Sequence, residues 1–268
     1  MSDSISFSGA MPEKYDRYQG PVYFEPYAVD LVGRIDSSEM EDVLEIACGT
    51  GRVTHHLRRA LPSSVKLIAT DLNGDMLEFA RSKMKNKEID WKVADAQDLP
   101  FADNSFDLVV CAFGYMFAPD KQKAFNEAYR VLKPGGQLLF NTWDKLEYNG
   151  ASMLCRQVVS KHFFNDKPPP SYNLPYSMND MEDIHSLLTE AGFHDILIES
   201  VSKKGRSDAA MNIANGFIEG PLIYDEIRKG DPAMVDELKN LVSKELAAKF
   251  GDAPMITPMR AIISTGWK

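Results

Sequence analysis

Apolar residues along the chain alternate between two spacings. Short, mostly apolar runs recur at Val43–Ala47, with the one acid Glu45, and at Val65–Thr70, Ile89–Ala94, Leu108–Ala112 and Gln137–Thr142, the last two rich in Val, Leu and Phe. Runs of this length predict strands buried on both faces, as in a parallel sheet. Between them, apolar positions return every three or four residues. Met76, Leu77, Ala80 and Met84 predict a helix over Leu72–Lys85 capped by Asn73, and a second helix is predicted over Lys121–Leu132. Further helices are expected over Pro21–Ile35, Asn149–Phe164 and Met181–Ala191, strands over Ile196–Val201 and near Met259–Thr265, and a mostly helical insertion between Gly205 and Pro254. Strands alternating with helices predict an α/β fold with a mainly parallel sheet.

The first strand runs straight into Ala47-Cys48-Gly49-Thr50-Gly51, a glycine turn that opens a helix. Gly49 and Gly51 allow the backbone to approach a ligand closely, and the first-turn amides of the helix favour a negative group there. Twenty residues beyond Gly51, the second strand ends in Asp71. An acceptor-only carboxylate at that spacing is placed to hold the two hydroxyls of a ribose. A dinucleotide site would show a third glycine, but position 54 is Thr54, which disfavours an NAD-dependent oxidoreductase.

The stretch resembles instead motif I of the class I S-adenosylmethionine-dependent methyltransferases, acid-x-Gly-x-Gly-x-Gly, filled here by Glu45, Ala47, Gly49 and Gly51, with Ala47 where the family usually has its first glycine. Two further segments carry the likeness. Asp95-Ala96-Gln97-Asp98-Leu99-Pro100-Phe101 followed by Phe106-Asp107-Leu108-Val109 resembles motifs II and III, and Arg130-Val131-Leu132-Lys133-Pro134-Gly135-Gly136 is similar to the family's turn into its fifth strand. The resemblance is sharp from about residue 43 to residue 143. It implies a doubly wound, Rossmann-like, seven-stranded sheet, mostly parallel with the last strand antiparallel. It also implies a single domain over 1–268, with a cofactor-binding core at about 41–145 and helical cap elements at about 1–35, 146–180 and 205–255. The implied cofactor is S-adenosylmethionine, leaving as S-adenosylhomocysteine. Asp95 would accept from the adenine amine, Ala96 would touch the ring, and Cys111 would border the methionine part. Leu72, Met76 and the aromatic Tyr15 would adjoin the cofactor too, although the spacing of Met76 equally marks a core position. The partner would be a small-molecule methyl acceptor, the relatives being ubiquinone and menaquinone C-methyltransferases and natural-product O- and N-methyltransferases. A non-catalytic cofactor-binding protein of the same fold is the alternative.

Charge and composition narrow this further. With 268 residues and a formal net charge of -9, the chain can bury one sizeable core, and its average field attracts neither nucleic acid nor an anionic membrane. Cys48, Cys111 and Cys155 have neither paired spacing nor a nearby histidine pattern, so no metal and no disulfide framework is expected. Cys111 reads as a buried thiol rather than a nucleophile. The polar start, Met1–Glu13, is expected to be mobile, and with no long apolar span the chain reads as cytoplasmic. Trp143, Asp144, Glu147 and Tyr148 follow the fifth strand and are candidates for the acceptor pocket. No catalytic residue is identified; among five histidines only His162, in the expected cap, is a candidate base.

Overall fold

The computed structural model describes residues 11–85, 87–168, 170–220, 223–224, 227–228 and 231–268. Residues 1–10 of the start expected to be mobile lie outside these, as does Pro169 of the run Lys167-Pro168-Pro169-Pro170, whose prolines predict a stiff connector. The chain divides into two compact units.

The larger unit comprises Tyr27–Asp144, Pro175–Val201 and Ala261–Lys268. Its parallel strands are β1 (Asp42–Ile46), β2 (Lys66–Asp71), β3 (Asp90–Val93), β4 (Phe106–Ala112) and β5 (Leu132–Trp143), joined by β6 (His194–Ser207) and β7 (Met255–Trp267) in one seven-stranded sheet of order β3-β2-β1-β4-β5-β7-β6. β7 runs antiparallel to β5. The order turns around at β1 and β4, which are parallel neighbours with Ile46 opposite Cys111, and in such sheets the crevice at the carboxyl ends of those strands is where ligands bind.

Ala28 and Leu31 of the helix Glu25–Val32 and Val53 and Leu57 of the helix Arg52–Ala60 bury one face of the sheet against Val43, Leu67, Leu108, Val110, Leu139 and Ile263. On α5 (Lys121–Val131), Phe125 packs against Tyr115 and Phe140, with ring centroids 4.7 and 5.2 Å away. Helices α3 (Arg52–Ala60), α4 (Gly74–Lys83) and α5 fill the crossovers β1–β2, β2–β3 and β4–β5. The crossover from β3 to β4, residues 94–105, contains no helix.

The other unit comprises Lys145–Leu174, Ser202–Arg260 and the described part of Met1–Pro26. It contains α1 (Met11–Lys14) with the π-helical Tyr15–Phe24, α6 (Gly150–His162), α8 (Ala210–Ile218) and α9 (Ala233–Phe250). Glu219 accepts from Lys14 at 2.5 Å and also pairs with Lys239, tying α1 to the end of α8 and to α9. The larger unit also holds α7 (Met181–Ala191), and the sequence division at Pro26 and Tyr27 falls within α2 (Glu25–Val32).

Several boundaries differ from the sequence expectation: β6 and β7 run beyond the expected Ile196–Val201 and Met259–Thr265 at both ends, and two further differences have a visible cause. The helix expected over Pro21–Ile35 begins at Met11 and ends at Val32, because the π-helical turn, with its wider hydrogen-bond spacing, accommodates Pro21 inside it. β5 starts at Leu132 rather than Gln137, the Lys-Pro-Gly-Gly turn being absorbed into the strand with a register shift opposite Phe106–Leu108.

Candidate functional site

β1 ends in a backbone that only small residues tolerate. Ala47, Gly49 and Gly51 all have positive φ, at 55°, 54° and 79°. The left-handed region costs an alanine roughly 1 kcal/mol relative to glycine, so Ala47 carries strain where a glycine would carry none. The strain has a counterpart across the switch point. Phe113, just past β4, also has positive φ, at 55°, and is held there by its amide, which donates to both the backbone oxygen and Oδ1 of Asn141, each at 3.0 Å. Two non-glycine residues in this conformation at the ends of adjacent strands mark a place where function rather than propensity dictates the backbone.

The two glycines serve different ends. A Cβ on Gly51 would meet Met84 Cε at 2.4 Å and Ala80 Cβ at 3.0 Å, so the turn at Gly51 passes close against the end of α4, and its positive φ favours glycine as well. A Cβ on Gly49 would meet nothing within 4 Å. The open side of the turn is therefore at Gly49.

Asp71 closes the arrangement. Its Oδ2 accepts from the Gly49 amide at 2.7 Å and its Oδ1 from the Asn73 amide at 2.8 Å, so one carboxylate ties the turn after β1 to the turn after β2. Each oxygen keeps a second lone pair for a ligand hydroxyl. Burial raises the Asp71 pKa, partly offset by the amides of Asn73 and Gly49. Beside it, Leu72 is 67% exposed and Val93 55%, a pair of large apolar side chains left open next to a half-buried acid. Asn73 caps α4 through the Met76 amide, while the Met76 side chain is buried. Asp95 forms a turn, its Oδ1 accepting from the Gln97 amide at 2.8 Å, with Ala96 beside it half-buried.

Glu45 lies beneath the turn, fully buried. Burial pushes its carboxyl up to about 8, with the neighbouring Asp71 adding to the rise and the hydroxyl and amide of Thr54 opposing it. Thr54, the residue that takes the place of a third glycine, is itself wholly buried against this acid. Glu45 is thus a neutral acid at pH 7. Because its folded pKa lies above the unfolded value near 4.5, the native state holds a proton that the unfolded state releases, and stability falls as pH rises from about 4.5 to 8. Glu45→Gln is expected to melt like the wild type near pH 5. At pH 8.5 it should gain about 3 kcal/mol, roughly 5–10 °C in Tm for a chain of this size. Parallel Tm-against-pH curves for the two proteins would show that Glu45 is not the buried proton carrier.

Cys111 is fully buried at the end of β4, and its thiol is pushed up to about 12 by desolvation, which makes it inert as a nucleophile. Trp143 is buried with its ring stacked on Phe113 at 4.2 Å and edge-on to Tyr27 at 5.5 Å. Asp144 is buried too, accepting from Ser200 at 2.9 Å. Glu147, Tyr148, His162 and Tyr15 belong to the other unit, where Tyr15 stacks on Phe24 with centroids 5.2 Å apart and His162 is an exposed residue at the end of α6. No group of His, Cys, Asp and Glu suited to a metal ion occurs among the described residues.

Sequence reasoning missed three supports of this site. Asn141 holds Phe113, and nothing in its flanking pattern marks it. Thr70 Oγ1 donates to the Glu45 carbonyl at 2.9 Å, locking β2 to β1. Arg130, in a run that reads as a mere helix stop, donates to the carbonyls of Leu99 and Phe101 and to Asp103, while Glu127 accepts from the Leu99 amide. These two side chains hold the helix-free segment after Asp95. Lys133 of the same run bridges Asp42 and Asp107 at the opposite ends of the strands.

Residues 43–136 match the sequence family described as a methyltransferase domain. The ubiquinone/menaquinone biosynthesis C-methyltransferase of Pseudoalteromonas translucida is 33% identical over 174 residues, which span 60% of this chain and 69% of that protein. The demethylmenaquinone methyltransferase of Staphylococcus epidermidis is 30% identical over 210 residues, 70% of this chain and 83% of the relative. Among solved structures, phosphoethanolamine N-methyltransferase 2 of Haemonchus contortus superposes with a TM-score of 0.60 at 18% identity, covering 99% of this chain and 58% of its own. The YcgJ protein of Bacillus subtilis gives 0.58 at 17%, covering 91% and 98%. At these identities the two structures speak for the fold alone.

Proposed function

Since the chain belongs to the class I S-adenosylmethionine-dependent methyltransferases, of the type that includes the ubiquinone and menaquinone C-methyltransferases, we propose that it methylates a small, electron-rich molecule, with a quinol-type ring carbon as the first acceptor class to test. The names of the two relatives motivate that acceptor. The cofactor assignment to particular residues rests on one observation: the half-buried Asp71 carboxylate, tied to the Gly49 amide, beside a turn with open space at Gly49.

These residues suit the cofactor's nucleoside end. Asp71 offers acceptor lone pairs to ribose hydroxyls; Leu72, exposed next to it, offers an apolar face to a base; Asp95 and Ala96 follow at the end of β3. Glu45, Ala47 and Gly51 shape the turn, Met76 and Cys111 back it from the core, and Tyr15 is the aromatic candidate from the other unit. When bound, S-adenosylmethionine supplies an electrophilic methyl on its sulfonium. The protein's own contribution is to fix that end of the cofactor and to hold a nucleophile in line at roughly 3 Å. Acceptor choice is assigned to the helical unit, which lies almost wholly outside the stretch matched by the family. No helix among the described residues is long and apolar enough to cross a membrane, in keeping with a cytoplasmic enzyme.

Calorimetric titration with S-adenosylhomocysteine and with NAD tests the cofactor, and turnover of S-adenosylmethionine with demethylated quinols, phenols and amines tests the reaction. Binding of S-adenosylhomocysteine alone, with methyl transfer to a quinol carbon, is expected. Binding without transfer to any of the three classes would favour a non-catalytic cofactor-binding protein, and tight binding of NAD in its place would overturn the assignment.

A further inference from the structure

A groove lies along β2 and β3 at the edge of the sheet. It measures about 860 Å³ and is lined by Lys66, Ile68, Arg81, Met84, Lys85, Lys87, Ile89, Asp90, Trp91, Lys92 and Phe101. The groove runs along β2 and β3 from Lys66, which opens β2, to Lys92, which pairs with Thr70 beside Asp71, and Met84 of its floor also lies against the turn at Gly51. The origin of the groove is the crossover from β3 to β4, which has no helix to cover the sheet on this side.

The charge of the groove is unlike the rest of the molecule. The chain is acidic at -9, and several of its other cations find carboxylates, Arg34 with Asp30, Arg130 with Glu127, Lys133 with Asp107 and Lys239 with Glu219, while Arg58 and Lys268 are taken up by backbone carbonyls. Five cations converge on the groove, Lys66, Arg81, Lys85, Lys87 and Lys92, with only Asp90 among them. None of the five forms an ion pair with a carboxylate among the described residues; Lys87 instead meets His55 Nδ1 at 3.5 Å, and Lys92 lies over the Phe101 ring. Two ordinary explanations account for part of this. A lysine on the short edge strand β3 blunts unwanted pairing, which covers Lys92, and cations near the carboxyl end of α4 complement its dipole, which covers Arg81 and Lys85. Neither accounts for Lys66 and Lys87, nor for all five meeting over one apolar floor of Ile68, Met84 and Phe101.

We propose that this groove binds a polyphosphate-bearing small molecule, its phosphates among the five cations and its remaining part on the apolar floor. The volume is that of a small-molecule pocket. A long polyanion is disfavoured because the acidic surface around the groove would repel whatever extended beyond it.

ATP is the probe, titrated calorimetrically at 50 mM and 200 mM salt with S-adenosylhomocysteine already saturating, so that the adenosine moiety cannot report on the cofactor site. Saturable binding is expected, weakened at least tenfold by the higher salt. The exposed-site variant Lys85→Glu/Lys92→Glu should weaken it by tenfold or more while leaving S-adenosylhomocysteine affinity and Tm unchanged. No binding at 50 mM salt, or equal affinity in the variant, would overturn the proposal. So would tighter, ATP-displacing binding of a poly-glutamate peptide or a single-stranded oligonucleotide, either of which would give the groove to a macromolecular partner. Failure of S-adenosylhomocysteine to bind at all would count against the methyltransferase site and not against this one, since ATP can be titrated without it.

Discussion

Asp71→Ala should weaken S-adenosylhomocysteine binding by about 1.5 to 3 kcal/mol, roughly a 10- to 150-fold rise in Kd by calorimetry. Two losses combine. The ribose hydroxyls lose a charged acceptor, and the Gly49 amide, to which Asp71 accepts at 2.7 Å, loses the group that fixes the turn. The two can be separated by Asp71→Asn, which keeps one acceptor oxygen at the same place but removes the charge. That variant should retain more of the turn's order, read as protection of the Gly49 amide from hydrogen exchange, than of the affinity. Wild-type affinity in Asp71→Ala would remove Asp71 from the cofactor site altogether.

The second large effect contrasts the two glycines. Gly51→Val should lower stability by 3 kcal/mol or more, on the order of the cost of overpacking plus a left-handed β-branched residue, because its side chain would drive into Ala80 and Met84. Gly49→Val has no such collision in the protein itself. It should cost about 1–2 kcal/mol for its backbone conformation and yet abolish measurable S-adenosylhomocysteine binding, since the space it fills is the space assigned to the cofactor. Thermal melts and calorimetry on the pair distinguish these. Unimpaired binding in a folded Gly49→Val protein would refute the placement, and a Gly51→Val protein as stable as wild type would refute the packing role.

The sheet was legible because burial on both faces leaves a strong mark: Val43–Ala47, Val65–Thr70 and Leu108–Ala112 are mostly apolar, interrupted only by Glu45, Lys66 and Thr70, and each coincides with a strand to within two residues. Helix α4 was legible from Asn73 and the spacing of Met76, Leu77 and Ala80, and α7 from end to end. The start of the helical region at Met11 was not, since Tyr15–Phe24 takes a wider spacing that a search for every third or fourth residue passes over. At the site, the residue types could be read and their bonds could not. Glycine and aspartate at a set spacing announce a turn and an acceptor, but that Asp71 grips Gly49, that Thr54 lies buried against Glu45, or that Asn141 bends Phe113 depends on strands far apart in sequence coming side by side. Arg130 shows the same limit: its run of residues marks a helix end, while its bonds are made to carbonyls about 30 positions earlier.

That last arrangement bears on how this protein can be rebuilt. The segment carrying Asp95 has no helix to give it form, and borrows its shape from a guanidinium and a carboxylate on α5, Arg130 and Glu127, which between them take up Leu99 and Phe101. Anyone transplanting residues 94–105 into a related scaffold to alter its preference among nucleoside cofactors must carry these two side chains along as part of the graft, and anyone randomising α5 as a distant, harmless surface should expect those two positions to return almost unchanged from the screen.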